Sequence, residues 1–337
     1  MADILPLRRN PPTDTMTRLR AQFSEEMAAV EILMRENMGS YVDMIPAIGE
    51  HIVKAGGKRL RPILTLAGAR LCNYSGEAQI SLAAAVEYMH TATLLHDDVV
   101  DESDLRRSLP TARKVWGNAA SVLVGDFMLG QAFRMMVAAG SLKALDILSH
   151  AAAVIAEGEV MQLANLHNVD MTEDAYLQVV DAKTATLFAA AAEVGGVIAE
   201  ANLRELDGIR SYGRNLGIAF QLVDDALDYA SHSETLGKNI GDDFREGKIT
   251  LPILLAVRRG SEADRGFWNR VVRTPSDDPT DFKHALKLMY ETKALEETRE
   301  RARHYGARAV DALALFPSSP LKSELIDLVQ FCIARAY

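Results

Sequence analysis

Apolar residues recur at helical spacing along most of this chain, in long runs separated by short polar turns. The pattern predicts helices over Met16 to Met38, Leu60 to Cys72, Gln79 to Asp101, Trp116 to Ala139, Leu142 to Leu166, Thr172 to Ala199 and Glu205 to Tyr229. A loop of Gly, Lys and Asp follows from Ser231 to Gly247, and helix resumes at Leu251. Thr274 to Thr280 holds two prolines and reads as a surface turn. It leads into an amphipathic stretch, His284 to Tyr305, and a last helix from Leu321. Runs such as Ala151 to Ala156 and Ala189 to Ala192 suit helices buried on most sides. The expected fold class is all-α.

Composition supports this. The chain of 337 residues is 48% hydrophobic but only 6% aromatic, which favours helix over strand. No Gly/Pro/Ser-rich linker divides it, so one large helical domain is expected over residues 18–337. Residues 1–17, with three prolines, two arginines and two aspartates, read as a flexible tail without the apolar core of a secretory signal. The net charge of −9 argues against nucleic acid as a partner. Cys72 and Cys332 lack metal-ligand spacing and read as reduced core thiols, which points to the cytoplasm. Glu193 interrupts the longest apolar run, Leu187 to Ala199, so no membrane span is expected.

Against this apolar background one pattern stands out. Asp97-Asp98-Val99-Val100-Asp101 recurs with the same spacing at Asp224-Asp225-Ala226-Leu227-Asp228. Each copy follows a stretch that would otherwise be buried, Ala83 to Leu95 and Leu216 to Val223, where carboxylates are costly unless compensated. Residues four apart share a helix face, so Asp97 pairs with Asp101 and Asp224 with Asp228, while Asp98 and Asp225 lie about 100° away. Six carboxylates in such surroundings repel or take up protons unless cations complete the cluster. Oxygen-only ligands favour Mg²⁺, which is commonly held by one or two carboxylates together with substrate phosphates. A solvated helix N-terminus would explain one acidic motif. It does not explain two matched copies.

Basic residues accompany both motifs. Arg106-Arg107 follow the first, and Gly56-Gly57-Lys58-Arg59-Leu60-Arg61-Pro62 places glycines and cations at a helix start, where free N–H groups also face an anion. His90 precedes Asp97 by seven residues, two helical turns, and so falls on nearly the same face. Lys183-Thr184 sits mid-helix, Gln221 lies one turn before Asp224, and Lys238 and Lys248 flank Gly241-Asp242-Asp243.

Together these residues resemble the trans-isoprenyl diphosphate synthases, specifically the long-chain polyprenyl diphosphate synthases. The motifs are Gly57 to Pro62, His90 to Asp101 with Arg106-Arg107, Gly158-Glu159, Lys183-Thr184, Gln221 to Asp228, Gly237-Lys238 and Gly247-Lys248. The match runs from about Met27 to the end of the chain. The resemblance implies a bundle of antiparallel helices around a deep central cavity, a homodimer, and both Asp motifs at the cavity mouth. It implies Asp97, Asp101, Asp224 and Asp228 as ligands of about two to three Mg²⁺ ions on an allylic diphosphate, with Asp98 and Asp225 in support. Arg106, Lys183, Gln221 and Lys238 then belong to the allylic site, Lys58, Arg61, His90 and Arg107 to isopentenyl diphosphate, and Thr184 and Lys248 also to substrate binding.

The activity so implied is repeated condensation of isopentenyl diphosphate onto an allylic primer such as farnesyl or geranylgeranyl diphosphate, ending in the C40–C50 range and serving a quinone side chain. Ala85, Met89, Ala92, Thr93 and His96 form one stripe before the first motif, small where short-chain members carry aromatics, and Ala92 lies about 7.5 Å from Asp97 along the axis. Chain length is therefore expected to be set along this stripe, with Phe133 and Met136 as floor residues. The alternatives are a C15–C20 synthase or a subunit of a heteromeric enzyme. A terpene cyclase would not need Lys58, Arg61 and Arg107, and the Glu-x-x-His ligands of di-iron bundles are absent.

Overall fold

The computed structural model describes residues 15–54, 56–107, 109–229, 241–274 and 278–334, and the expected tail lies largely outside them. The described residues are almost wholly helical, with one two-stranded hairpin, Leu105–Arg106 against Leu109–Pro110. Two long helices carry the acidic motifs at their C-terminal ends, Ala78–Val100 and Leu203–Leu227. The second starts in a capping box, Asn202 accepting the Glu205 N–H while the Glu205 carboxylate accepts the Asn202 N–H, which satisfies two orphan donors at once.

Four predicted helices differ from expectation for local reasons. Met16 to Met38 is split at Phe23, whose buried ring sits beneath Arg70 at 4.0 Å and turns the chain between Thr15–Gln22 and Ser24–Asn37. Thr172 to Ala199 is three pieces, Glu173–Val180, a π-helical turn at Asp181–Ala185, and Thr186–Ile198. His284 to Tyr305 breaks at Lys293, which adopts a left-handed conformation (φ 57°), leaving Pro279–Glu291 and Ala294–Ala312. Trp116 instead ends a short turn, Ala112–Trp116, before the next helix begins at Asn118. Met44–Lys54 is a helix that the apolar pattern did not reveal, and Glu262–Arg273, within the helical stretch expected from Leu251, starts in a Ser261–Asp264 capping box.

Helix Ala78–Val100 packs along Asn118–Ala138, and Leu203–Leu227 is held between Thr186–Ile198 and Ala294–Ala312. The second acidic helix approaches the π turn closely. A Cβ on Gly217 would stand 2.7 Å from the Ala185 Cα, and one on Gly213 would stand 2.4 Å from the Phe188 carbonyl oxygen. Only glycine permits that contact, and it sets the spacing between the two walls of the site.

Asn118–Ala138 has 21 residues and is apolar enough, by length and composition alone, to cross a membrane. Asp126 and Arg134 interrupt it, and a core helix of a folded protein meets the same two criteria. Seven of its residues, from Ser121 to Met136, are buried inside the protein.

Candidate active site

The start of helix Leu60–Leu71 builds the basic side of the site. Arg59, left-handed at φ 51°, begins the helix and turns its guanidinium onto buried Glu87 in an ion pair. Arg61 lies over the Phe188 ring at 4.5 Å, and burial lowers its pKa to about 10. Lys58 lies 5.0 Å above the Phe331 ring, and Arg20 donates to the Gly57 carbonyl at 2.7 Å. Arg107 closes against the same loop, where a Cβ on Gly57 would stand 2.9 Å from its Nη1. Burial, then the charges of Arg61, Arg106, Arg107 and Arg59, push the His90 pKa well below its ordinary value, so the ring stays neutral and offers one N–H.

The first acidic helix supplies the facing wall. Burial raises the Asp97 pKa to about 7, opposed mainly by Lys183 and reinforced by Glu159 and Asp101. Asp101 accepts from Lys248 at 2.9 Å, a contact that joins positions 147 residues apart, and Lys248 also pairs with Glu246 at 2.6 Å. These carboxylates, led by Asp101, outweigh desolvation and raise the Lys248 pKa. Asp98 points away from the cavity, 4% exposed, and accepts Nε and Nη2 of Arg106 at 2.9 and 2.8 Å. It anchors an arginine.

The π turn carries Lys183, which donates to Glu159 at 2.7 Å, and Thr184, which donates to the Gln221 carbonyl at 2.9 Å. Gln221 donates in turn to Asp225 at 2.7 Å, and the Tyr176 hydroxyl donates to the other Asp225 oxygen. Burial and Asp243 raise the Asp225 pKa to about 7 against those two hydrogen bonds.

These walls enclose a cavity of about 660 Å³. Of the residues singled out from sequence, it brings together Lys58, Arg61, His90, Thr93, Asp97, Asp101, Arg106, Arg107, Lys183, Thr184, Gln221, Asp224, Asp225 and Lys248. Lys238 lies outside the described residues. Asp228 caps its helix with helical backbone angles and its N–H on the Asp224 carbonyl, as Asp101 does on Asp97, and its carboxylate accepts the Asp243 N–H at 3.2 Å; Asp243 lines the cavity.

Of the chain-length stripe, Thr93 lines the cavity, while Ala85, Met89 and Ala92 are at most 2% exposed, as is Met136, and Phe133 packs against the same core. His96, at the end of the stripe, turns to the neighbouring helix, its Nε2 3.1 Å from the Val122 carbonyl and 3.4 Å from Asp126. Glu87, His90, Thr93, Asp97 and Asp101 are the positions of this helix's polar face that meet the cavity.

The donor set suits a hard cation shared with a ligand. Among the described residues no three His, Cys, Asp or Glu side chains converge on one point, so carboxylates alone do not complete a coordination shell. Asp97 and Asp101 on one side, and Asp224 with Asp243 on the other, present carboxylate oxygens to the cavity. The Lys248 ammonium already occupies one cation position beside Asp101.

The family model for polyprenyl synthetase matches residues 42–289. The chain belongs to that family. Octaprenyl diphosphate synthase of Escherichia coli (strain K12) is 45% identical over 315 residues, covering 93% of this chain and 96% of that protein. The crystal structure of a polyprenyl synthase from Caulobacter crescentus CB15, complexed with calcium and isoprenyl diphosphate, superposes with a TM-score of 0.94 at 47% identity, over 98% of this chain and 100% of that one. A decaprenyl diphosphate synthase from Rhodobacter capsulatus superposes at 0.91 with 49% identity, over 96% and 99%.

In this polyprenyl synthetase the raised Asp97 pKa has a direct consequence. A carboxyl whose folded pKa exceeds its unfolded value stabilises the fold below the unfolded pKa, near 3.8, and loses that contribution as pH rises through about 7. Metal-free protein is therefore expected to melt at a lower temperature at pH 8 than at pH 6. Added Mg²⁺ is expected to raise Tm more at pH 8, because protons and metal compete for Asp97. Thermal scans at both pH values check this; an equal metal response at the two would contradict it.

Sequence reasoning passed over Glu87 and Tyr176, and quoted Arg59 and Asp243 without giving either a role. Glu87 and Arg59 carried a signal, a carboxylate three residues before His90 and a cation in the Gly-Lys-Arg turn. Tyr176 carried none, since it reads as an ordinary apolar-face residue.

Proposed function

We propose that the protein condenses isopentenyl diphosphate repeatedly onto an allylic diphosphate, such as farnesyl or geranylgeranyl diphosphate, to give an all-trans product in the C40–C50 range for a quinone side chain. One observation carries the reading: the cavity holds two charge neighbourhoods that share Arg106. Asp97 feels Lys183, Glu159, Asp101 and Arg106, whereas His90 feels Arg61, Arg106, Arg107 and Arg59. Two anionic substrates, one with metal and one without, fit this division. The relatives named for octaprenyl and decaprenyl products support the chain length.

The residues then divide the work. Asp97, Asp101, Asp224 and Asp228 would hold about two to three Mg²⁺ ions, which neutralise the allylic diphosphate as a leaving group. Lys183, Gln221, Arg106 and Lys248 face that diphosphate, and as the allylic C–O bond breaks they meet the charge that develops on it. Lys58, Arg61, Arg107 and neutral His90 hold the second diphosphate, so that its double bond reaches the allylic cation. The new C–C bond forms, and the released pyrophosphate takes a proton to regenerate an allylic double bond. Leu94, Phe188 and Phe220 give the growing chain an apolar wall.

We assign the catalytic unit to residues 18–337, because Arg18 pairs with Asp327 at 2.9 Å and so ties the first described helix to the last. A second copy of the chain fits the face made by Leu123 and Val137 of one helix and Leu142, Val160 and Leu163 of the next, all at least 57% exposed. We place the enzyme in the cytoplasm, touching a membrane only to release its product.

Purified protein with Mg²⁺, farnesyl diphosphate and isopentenyl diphosphate is expected to release pyrophosphate, and chelator to stop it; no release would sink the proposal. Lys58→Ala and Arg61→Ala are expected to raise KM for isopentenyl diphosphate by about 10-fold while leaving that for the primer nearly unchanged. A larger rise for the primer would reverse the two sites.

A further inference from the structure

Asp225 is buried beside the metal-binding face, 4% exposed, yet both its oxygens are engaged by protein donors, Tyr176 OH on one and Gln221 Nε2 on the other. Asp225 accepts from Gln221 Nε2 while the Gln221 carbonyl accepts the Thr184 hydroxyl, so these two contacts fix which end of the amide faces which partner. The second Nε2 hydrogen is then left for the cavity that Gln221 lines. Turned the other way, the amide would present a carbonyl oxygen to an anionic ligand, which repels it.

Tyr176 fixes this choice from behind. It is 3% exposed, and its hydroxyl hydrogen goes to Asp225. Tyr176 sits on Glu173–Val180 and Thr184 in the adjoining π turn, so the chain Tyr176–Asp225–Gln221–Thr184 clasps the second acidic helix on both sides of the bend that presents Lys183.

We propose that Tyr176 is a positioning residue for the allylic diphosphate, acting through Asp225 to lock the Gln221 amide with its N–H towards the substrate. This rests on the allylic assignment above.

The test is steady-state kinetics of Tyr176→Phe, Gln221→Ala and the double variant, with farnesyl and isopentenyl diphosphate varied in turn. Tyr176→Phe is expected to raise KM for the primer and lower kcat, together by about 10-fold in kcat/KM, with KM for isopentenyl diphosphate within about two-fold of wild type. The double variant is expected to be no worse than Gln221→Ala alone, because the tyrosine acts through the glutamine. Multiplying losses, or equal shifts in both KM values, would overturn the proposal. Should Tyr176→Phe fail to fold, Asp225→Asn keeps the shape while freeing the amide to turn, and it carries the same expectations. Wild-type protein that elongates no primer would overturn the function itself; wild-type elongation with independent losses would overturn only the role of Tyr176.

Discussion

Replacing Asp97 or Asp224 by alanine is expected to lower turnover by at least about 100-fold, the scale of losing a main electrostatic stabiliser of a leaving group. The two stand on opposite acidic helices and line the same cavity, so each removes one side of the cation cradle. Stability is expected to move the other way for Asp97→Ala. Burial already pushes that carboxyl up to about 7, so metal-free protein loses an unfavourable charge at pH 8 and its Tm does not fall. Asp98→Ala is a contrasting control, since it leaves Arg106 without its buried partner and is expected to cost stability as well as activity. Turnover and melting measured on the three variants check this; near-normal activity in both Asp97→Ala and Asp224→Ala would remove the basis for metal at this site.

Thr93→Phe is expected to shorten the product to about C15–C20 while the first condensation continues, because a ring at this position fills cavity volume that a growing chain needs. Thr93 is the member of the small-residue stripe on the cavity wall, four residues before Asp97 and one turn below the metal face. Ala92→Phe is expected to act differently. Its side chain is 2% exposed and packed in the core, so a ring there overpacks the contact with Asn118–Ala138 and lowers Tm by several degrees. Chain-length analysis beside thermal melting separates the two outcomes. Full-length products from folded Thr93→Phe would place the growing chain elsewhere.

The acidic pairs were legible because helical spacing alone puts Asp97 with Asp101, and an apolar run makes their cost plain. The long helices were legible for the same reason. Asp243 on the cavity wall, its N–H held by the Asp228 carboxylate, was not legible, since no local period places it there. Ala92 and Thr93 show another limit. The wheel groups them on one stripe, but which edge meets the cavity depends on Asn118–Ala138, a neighbour the local pattern does not locate. Lys248 reaching Asp101 across 147 residues, and the π turn that bends Lys183 towards Glu159, are products of tertiary packing and leave no local signature. The break at Phe23 is of the same kind, since Arg70 on another helix lies over its ring and donates to the Gln22 carbonyl there.

The most direct test of the account is the chain-length distribution made by the purified protein alone from Mg²⁺, farnesyl diphosphate and radiolabelled isopentenyl diphosphate. The account predicts all-trans products in the C40–C50 range, with no second polypeptide required. Products that stop at about C20 would contradict the open cavity argued from Thr93, and elongation that depends on an added partner protein would contradict a site complete within this chain.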